Sequence, residues 1–226
     1  MLITSIGQGL LWAPLVIGVF LTFRILDIPD LTTEGSFPLG AAITISAMLN
    51  GQSALTASFF GFLGGCAAGW VTGMLDTKLK MPSLLAGILT MTGLYSINMH
   101  IMGRANVPLL EQKVLTNYLP AGWSLDVQTI LVGGVITTLV VLALVWLFQT
   151  RLGLSLMATG NNAAMSAANG IYTDRMVIIG YMLSNGLIAL SGGLIAQSNG
   201  YADIGMGIGT IVIGLASVLV GEIFLH

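Results

Sequence analysis

The sequence predicts an all-α integral membrane protein, a polytopic helix bundle of about seven spans with one or two broken or re-entrant segments. Of its 226 residues, 55% are hydrophobic and only 7% are charged, against roughly 25% charged residues in a soluble domain. The charges fall in small clusters, and the runs between them are long enough for the ~20 residues that cross a bilayer. The 30 glycines fit close helix packing in lipid.

The same composition excludes several classes of protein. Sixteen charges, 7 basic and 9 acidic, cannot cover the surface of a soluble globule. The net charge of -2 provides no basic field for nucleic acid. The two histidines, His100 and His226, are isolated, so no metal site is expected. No glycine-rich loop ends in Gly-Lys-Ser/Thr. We therefore expect no catalytic centre and no cofactor in this chain.

The first half of the chain contains three predicted spans. Residues 1–23 are free of charge. They lack the basic n-region of a signal peptide, and their apolar stretch is longer than a signal-peptide h-region, so we predict a retained helix. Residues 35–75 carry no charge and are long enough for two passes around a turn at 50–53. The pass before that turn is short, since 15 residues make about 22 Å of α-helix.

Four more spans follow, each separated from the next by a polar connection. They are predicted over 81–103, 127–148, 176–198 and 204–220. Lysine and arginine in short loops set orientation, because cytoplasmic loops carry more of them. Two of these residues, Arg104 and Lys113, fall on one side of the membrane and five on the other, namely Arg24, Lys78, Lys80, Arg151 and Arg175. This predicts a multi-pass protein of the bacterial cytoplasmic membrane with its N-terminus outside.

The stretch Asp30–Gly40 is unusual for a plain transmembrane bundle. Because the following span is short, part of the stretch could lie at membrane depth, where irregular backbone must be buried or line a wet cavity. Pro38 and Gly40 would then interrupt a helix, as in the broken helices of transporters. The alternative is a surface loop followed by a helix that starts at proline. A weaker echo of this pattern follows Asp203, where glycines alternate at Gly205, Gly207 and Gly209.

Residues 149–175 form a polar connection with a short helix inside it. Asn161 or Asn162 is a favourable N-cap, Ala163 to Ala168 favour helix, and Asn169-Gly170 is a typical C-terminal stop. A helix of about two turns is marginal alone in water, so a partner surface or the ends of its own bundle must hold it.

At these residues the chain resembles the membrane permease subunit of bacterial ABC importers of the branched-chain amino acid and ribose type. The resemblance rests on Thr150-Arg151-Leu152-Gly153, on Thr159-Gly160-Asn161-Asn162-Ala163-Ala164 with Asn169-Gly170-Ile171, and on Asp30–Gly35 before Leu39-Gly40-Ala41. The resemblance covers essentially the whole chain as one permease domain, 1–226. Within the family, the chain is similar to the branch labelled as tryptophan/tyrosine permeases.

The resemblance implies a mechanism and its partners. Two permease copies, expected as a homodimer, would form the pathway in the lipid membrane. Separate ATPase subunits would bind and hydrolyse ATP, and an extracytoplasmic binding protein would deliver the solute. The ATPase-coupling residues would be Arg151, Gly153, Gly160, Asn161, Asn162, Ala163, Ala164, Ala167, Ala168, Gly170 and Ile171. Those expected along the pathway are Asp30, Thr32, Thr33, Glu34, Gly35, Ser36, Thr90, Asn98 and Asn185.

Several alternatives stay open at this stage. Polar residues within the spans, such as Thr90, Asn98 and Asn185, could instead make helix-to-helix hydrogen bonds. An ATP-independent carrier or channel is the rival function, although carriers need ionisable groups deep in the membrane. A structural subunit of a larger complex is a third possibility. The resemblance implies an amino acid as the solute, an aromatic one if the similar branch is the guide, with a sugar or nucleoside as the alternative. Residues 220–226 are similar to the middle of the family pattern, so one or two C-terminal helices are expected beyond them.

Overall fold

The computed structural model describes residues 2–109, 114–118 and 124–225. Within these ranges it is almost entirely helical, and six helices are long and apolar enough to cross a membrane. They are Ile3–Ile25, Ala54–Thr77, Ser83–Met102, Leu125–Gln149, Thr173–Asn199 and Ile204–Phe224. The span predicted to be short, 35–49, is a helix of 17 residues, Thr33–Leu49. The predicted all-α membrane bundle is therefore confirmed, while Glu111, Lys113 and His226 lie outside the described residues.

The elements follow in a simple order along the chain. They are α1 (Leu2–Phe20), a π-helical turn (Leu21–Ile25), α2 (Thr33–Leu49), α3 (Ala54–Thr77), α4 (Ser83–Met102), β1 (Asn106–Pro108), a 3-10 turn (Leu115–Tyr118), α5 (Leu125–Gln149), α6 (Arg151–Asn161), α7 (Ala163–Ala168), α8 (Thr173–Asn199), β2 (Tyr201–Asp203), a 3-10 turn (Ile204–Gly207) and α9 (Thr210–Leu225). The turn between α2 and α3 occupies 50–53 as predicted, and Gly51 adopts a φ of 84° there. Helix α6 lies in a stretch for which only the shorter α7 was predicted.

Helix α8 is the centre of the bundle. In the 18-residue apolar stretch that could cross the membrane, 72% of the residues of α8 are buried, whereas only 6% are buried in the corresponding stretch of α5. Helices α1, α2 and α3 surround it, and small residues let the backbones approach. On α2, for example, any side chain at Gly40 would overlap the Ala189 carbonyl of α8. Since lipid supplies no hydrophobic force between helices, this close packing is what holds them together. The exposed apolar face of α5 is suited to contact lipid.

The hydrogen bonds between α1 and α8 define two ends of the bundle. Ser191 Oγ donates to the Leu11 carbonyl and Ser184 Oγ to the Gly18 carbonyl, each at 2.7 Å, so the two helices are antiparallel. The end that holds Ile25, α6 and α7 is called the coupling end below. The opposite end carries the antiparallel pair β1–β2, in which Asn106 pairs with Asp203.

The segment 204–209 re-enters the bundle from that opposite end. It follows β2 directly, yet Gly207 lies against the carbonyl of Glu34 and the ring of Pro38, where a side chain at position 207 would collide with both. Helix α9 starts next to this contact and runs to the coupling end, where Glu222 pairs with Arg24. Its 16 residues make only about 24 Å of helix, less than the ~30 Å hydrocarbon core. The sequence predicted a re-entrant or broken start for this run, and the structure shows the broken form, an irregular segment that continues into α9.

The connection from the π-helical turn to α2 is buried, so the surface-loop alternative for Asp30–Gly40 is wrong. Asp30 is 3% exposed and Thr32 is fully buried. The expectation that Pro38 and Gly40 break the helix is also wrong, because α2 runs unbroken from Thr33. Pro38 has no backbone N–H, so the Glu34 carbonyl lacks its usual helical donor. Gly207 packs against this carbonyl.

Candidate functional site

Five buried polar residues, from α2, α3, α8 and the connection before α2, form a closed cluster at the start of α2. The carboxylate of Asp30 accepts the backbone N–H of Thr32 at 2.9 Å and the side-chain amide of Asn185 at 2.7 Å. Ser36 Oγ in turn donates to Asn185 Oδ1 at 2.7 Å. The hydroxyls of Thr32 and Thr72 are 2.9 Å apart. We call these five residues, Asp30, Thr32, Ser36, Thr72 and Asn185, the polar cluster.

The polar cluster joins chain segments rather than lining an opening. All five residues are at most 3% exposed, and Thr33 adds a bond from its hydroxyl to the Asp30 carbonyl. A buried carboxylate is costly unless it is hydrogen-bonded, and here each oxygen has a donor. Asp30, Thr32, Thr33, Ser36 and Asn185, all predicted to line the pathway, are buried here in hydrogen bonds between chain segments, which for Asn185 is the alternative that the sequence left open. The cluster fixes the start of α2 on α8 and α3.

A cavity of about 260 Å³ lies on the other side of the first turns of α2. It is bounded by three elements: α2, α4 and the re-entrant segment 204–209. We call it the α2–α4 cavity. Its walls are formed by Glu34, Gly35, Pro38, Met91, Thr92, Tyr95, Asn98, Ile204, Gly205 and Ile208. The volume lies just below the ~300–1,000 Å³ of typical small-molecule sites, which suits a small solute. Glu34, Gly35 and Asn98, three of the predicted pathway residues, are here.

Asn98 leaves an unsatisfied acceptor in this wall. Its amide nitrogen donates to the Gly35 carbonyl at 3.2 Å, while its Oδ1 has no hydrogen-bond partner although the residue is 1% exposed. Rotating the amide would not help, since oxygen would then face the Gly35 carbonyl oxygen. Most buried polar atoms in proteins are paired, so this oxygen is an exception, and it is covered by protein atoms rather than open to the cavity.

Glu34 brings a carboxylate to the same cavity. Its Oε1 accepts the backbone N–H of Gly209 at 3.0 Å, which caps the N-terminal end of α9 and is favoured by the helix dipole. Among the described residues, the one ion pair joins Arg24 and Glu222, so Glu34 faces the cavity without a cationic neighbour. The sequence placed Glu34 at the end of a span. The structure places it within the bundle, because α9 begins beside it.

Thr90 lies apart from the cavity. Its hydroxyl donates to the Ala86 carbonyl within α4, and it borders an apolar groove between α3 and α4 instead. The apolar and aromatic residues of the cavity wall were missed as pathway candidates from the sequence, among them Met91, Tyr95, Ile204 and Ile208. Apolar and aromatic residues are so common in spans that only their position on the faces of α4 and the re-entrant segment distinguishes them.

The predicted coupling helix is present with the predicted bounds and caps. Helix α7 spans Ala163–Ala168, and Asn162 Oδ1 accepts the N–H of Met165 at 2.9 Å. Gly170 ends it with a φ of 82°, in the left-handed region that favours glycine. All four alanines of α7, Ala163, Ala164, Ala167 and Ala168, are exposed, as are Arg151, Asn161 and Asn162, whereas Ile171 is partly buried. The short helix therefore presents small side chains outward.

Helix α6 ties this surface to the bundle. A side chain at Gly160 would overlap the Ile25 carbonyl in the π-helical turn, so the two backbones are in direct contact. Gly153, near the start of α6, is packed in the same way against Leu147 and Phe148 at the end of α5. Ser166, the one buried residue of α7, faces the bundle. The exposed surface of α7 is thus rigidly linked to α1 and α5.

These sites offer groups that can bind a ligand or a partner. Among residues 2–109, 114–118 and 124–225, no group of three or more His, Cys, Asp or Glu side chains could hold a metal ion. The cavity offers the Glu34 carboxylate, and the coupling end offers the exposed small side chains of α7.

Comparison with known proteins identifies relatives over most of the chain. A tyrosine transport system permease protein of Clostridioides difficile (strain R20291) is 40% identical over 189 residues, which are 84% of this chain and 62% of the relative. An uncharacterised protein of Rickettsia prowazekii (strain Madrid E) is 35% identical over 84% of this chain and 65% of its own length. The autoinducer 2 import system permease protein LsrC of Yersinia pestis (strain Pestoides F) is 31% identical over 69% of this chain and 44% of its own.

The chain thus spans between 44% and 65% of the length of these relatives. No solved structure matches it significantly. A family model described as the branched-chain amino acid transport system / permease component matches residues 1–224. Together with the six spans this makes the chain an integral membrane protein with multiple helical spans. It belongs to the family of branched-chain amino acid transport system permease components.

Proposed function

We propose that the chain is the membrane-spanning permease subunit of a bacterial ABC importer for a small solute of the amino-acid class. The observation that carries this proposal is α7, an exposed helix of small residues with a cap at each end, held rigidly at one end of a membrane bundle. Family membership supports the same reading. A tyrosine transport permease among the relatives favours an amino acid, while the autoinducer 2 permeases keep a sugar-like solute as the alternative.

The ATPase is a separate subunit that docks on the surface of α7 and binds the ATP itself. The small side chains Ala164 and Ala167 allow close contact with a groove of the partner. The chain needs no cofactor of its own in this scheme and has no catalytic role. The proposed orientation places α7 in the cytoplasm and the N-terminus outside, in the bacterial cytoplasmic membrane. A solute-binding protein then delivers its cargo at the opposite end, where β1 and β2 lie.

A second copy of this chain covers the face formed by α4 and the re-entrant segment. Ile208 is 82% exposed and Tyr95 is 54% exposed on this face, next to backbone that is not α-helical at the depth of Glu34. Lipid does not tolerate such backbone, which must be buried in protein or line a wet cavity. A two-fold pair with its pathway on this face meets that requirement, and the α2–α4 cavity then opens into the pathway.

Movement of α7 has a direct physical route to this cavity. Gly160 of α6 touches Ile25, the connection after Ile25 leads to the polar cluster, and the polar cluster holds the start of α2. One turn later, Glu34 caps α9 and borders the cavity. We propose that ATP-driven closure of the two ATPase subunits moves α6 and α7 as rigid bodies and shifts access to the pathway by this route, as in other rigid-body switches.

The decisive experiment places charge on the coupling helix. Ala164→Glu and Ala167→Glu each bring an unpaired carboxylate into the proposed contact, which is costly when no partner compensates it. We expect normal membrane insertion, loss of ATPase co-purification from cells that express the whole operon, and loss of solute-stimulated ATP hydrolysis. Leu79→Glu is the matched control, since Leu79 is 65% exposed in the connection between α3 and α4 and outside α7.

If both alanine variants still co-purify with the ATPase and still couple hydrolysis to uptake, α7 is not the docking element and the proposal loses its main support. A variant that fails to insert is replaced by Gly170→Val, which strains the left-handed end of α7 without adding charge.

One observation favours a second candidate, an ion-coupled carrier that works without ATP. Ionisable residues at membrane depth are typical of such carriers, and Glu34 is one. The two functions separate in reconstituted vesicles. Uptake that requires the ATPase subunit and ATP supports the importer, whereas uptake driven by a proton or sodium gradient alone supports the carrier.

A further inference from the structure

The walls of the α2–α4 cavity present acceptors of hydrogen bonds and few free donors. Glu34 contributes a carboxylate. Asn98 also lies in the wall, but its amide oxygen is covered and cannot be reached from the cavity. The hydroxyl of Thr92 already donates to the Ile88 carbonyl at 2.7 Å, so it can only accept from a ligand. Glu34 and Thr92 therefore provide one acceptor group from each of two helices, and the Tyr95 hydroxyl in the same wall can donate or accept.

The backbone donors of the re-entrant segment are engaged elsewhere. The N–H of Ile204 donates to the Ala105 carbonyl, that of Gly205 to Asp203 Oδ1, and that of Ile208 to the Gly205 carbonyl. The N–H of Gly209 is taken by Glu34 itself. A carboxylate or phosphate entering the cavity would find none of these groups free. A group that donates several hydrogen bonds and carries positive charge would be matched by the wall.

The rest of the cavity is apolar and includes one aromatic ring. Met91 and Tyr95 from α4 face Pro38 of α2 and Ile208 of the re-entrant segment across it. A carboxylate at membrane depth favours a cationic partner, and an aromatic face adds to that attraction. The cavity thus combines a negative, acceptor-rich corner with walls for an apolar side chain, at a volume of about 260 Å³.

We infer that the α2–α4 cavity is a binding site for the primary ammonium group of a small amphipathic solute, bound by the Glu34 carboxylate and the Thr92 hydroxyl. The ammonium carries the charge opposite to that of Glu34 and can donate a hydrogen bond to each of these two acceptors. The apolar part of the solute packs on Met91, Tyr95 and Ile208. The cavity does not recognise a carboxylate, so an amine that lacks one binds as well. This inference rests on the proposed function, which supplies the route by which the solute reaches the cavity. It names ammonium as the chemical group that the pathway selects.

Direct binding to the purified full chain in lipid nanodiscs tests the inference without the ATPase. The probes share a phenol ring: radiolabelled L-tyrosine, radiolabelled tyramine, which has the amine alone, and 3-(4-hydroxyphenyl)propionate, which has the carboxylate alone, as a competitor. We expect saturable binding of both amines with dissociation constants within about tenfold of each other. We expect no competition by the acid at a hundredfold excess.

Variants assign the binding to the cavity. In Glu34→Gln the side-chain oxygen can still accept the Gly209 N–H, so α9 keeps its cap, but the charge is lost. We expect at least a tenfold weaker affinity for both amines. Glu222→Gln, which removes a carboxylate from the ion pair with Arg24 outside the cavity, is the matched control and should bind normally. Thr92→Val, checked for an unchanged elution profile, removes the second acceptor and should weaken binding as well.

Several results would overturn the inference. They are no saturable binding of either amine, equal binding of the acid, full binding in Glu34→Gln, or saturable ²²Na⁺ binding that displaces the amines and so indicates an inorganic cation site. Failure here is separable from failure of the proposed function, because the ATPase pull-down with α7 variants does not depend on this cavity. Normal ATPase docking together with no amine binding would refute the ammonium site alone.

Discussion

Replacing Asn185 by leucine should destabilise the bundle through the charge that it leaves behind. Leucine is close to asparagine in shape, so it creates no large cavity, but it removes the 2.7 Å hydrogen bond to Asp30 Oδ2 and the acceptor for Ser36. A hydrogen bond to a charged group contributes about 1.5–3 kcal/mol, and an orphaned buried donor costs about 1–3 kcal/mol. Asp30 keeps the Thr32 N–H, so we expect a loss near the low end, ~3 kcal/mol in the free energy of unfolding.

The assay is thermal unfolding in detergent, followed by size-exclusion chromatography of the heated samples. For chains of this size, soluble proteins lose about 2–4 °C in Tm per kcal/mol, so a drop of roughly 6–12 °C is expected. Asn50→Leu is the matched control. Asn50 is exposed, its side-chain amide bonds only to the Ser46 carbonyl of the preceding turn, and surface changes of this kind stay within about 0.5 kcal/mol.

A double-mutant cycle tests the stated cause. When Asp30→Leu accompanies Asn185→Leu, no buried charge is left without its partner, and the pair should be less destabilised than the sum of the two single variants by about 2 kcal/mol. A Tm shift below about 2 °C for Asn185→Leu, or single effects that add to within about 0.5 kcal/mol, would refute the view that the polar cluster holds α2 in place.

Three further predictions concern the rest of the bundle. In a cysteine-free background, a cysteine at Asn106 should react with an impermeant thiol reagent in intact cells, and one at Asn162 only after permeabilisation. The reverse pattern would invert the proposed orientation. Arg24→Gln should lower Tm by no more than about 4 °C, since its partner Glu222 is partly exposed and surface ion pairs contribute about 0–1 kcal/mol. Gly207→Val should abolish the folded monomer peak, because its side chain would overlap backbone in the first turn of α2.

Local patterns in the sequence determined the class of protein and most of its elements. Charge-free runs predicted the spans, because every backbone group in lipid must be satisfied within a helix or barrel, and this leaves few alternatives to a transmembrane helix. The turn at 50–53 and the caps of α7 were likewise predictable, since Asn162 and Gly170 act on residues within a few positions of themselves. Each of these features depends on neighbours in the chain, so no tertiary information was needed.

The tertiary structure decided which polar residues meet. Asp30 and Asn185 are 155 positions apart, and Glu34 and Gly209 are 175 apart. No periodicity connects such pairs. The sequence indicated a broken helix at Pro38, but α2 stays continuous because Gly207 and Asn98 pack around the disturbed turn. Thr90 looked equivalent to Asn98 on α4, yet only Asn98 reaches the cavity. Helix rotation and packing depend on close contacts between distant glycines and backbones, which is why only the folded bundle reveals the cavity and its acceptors.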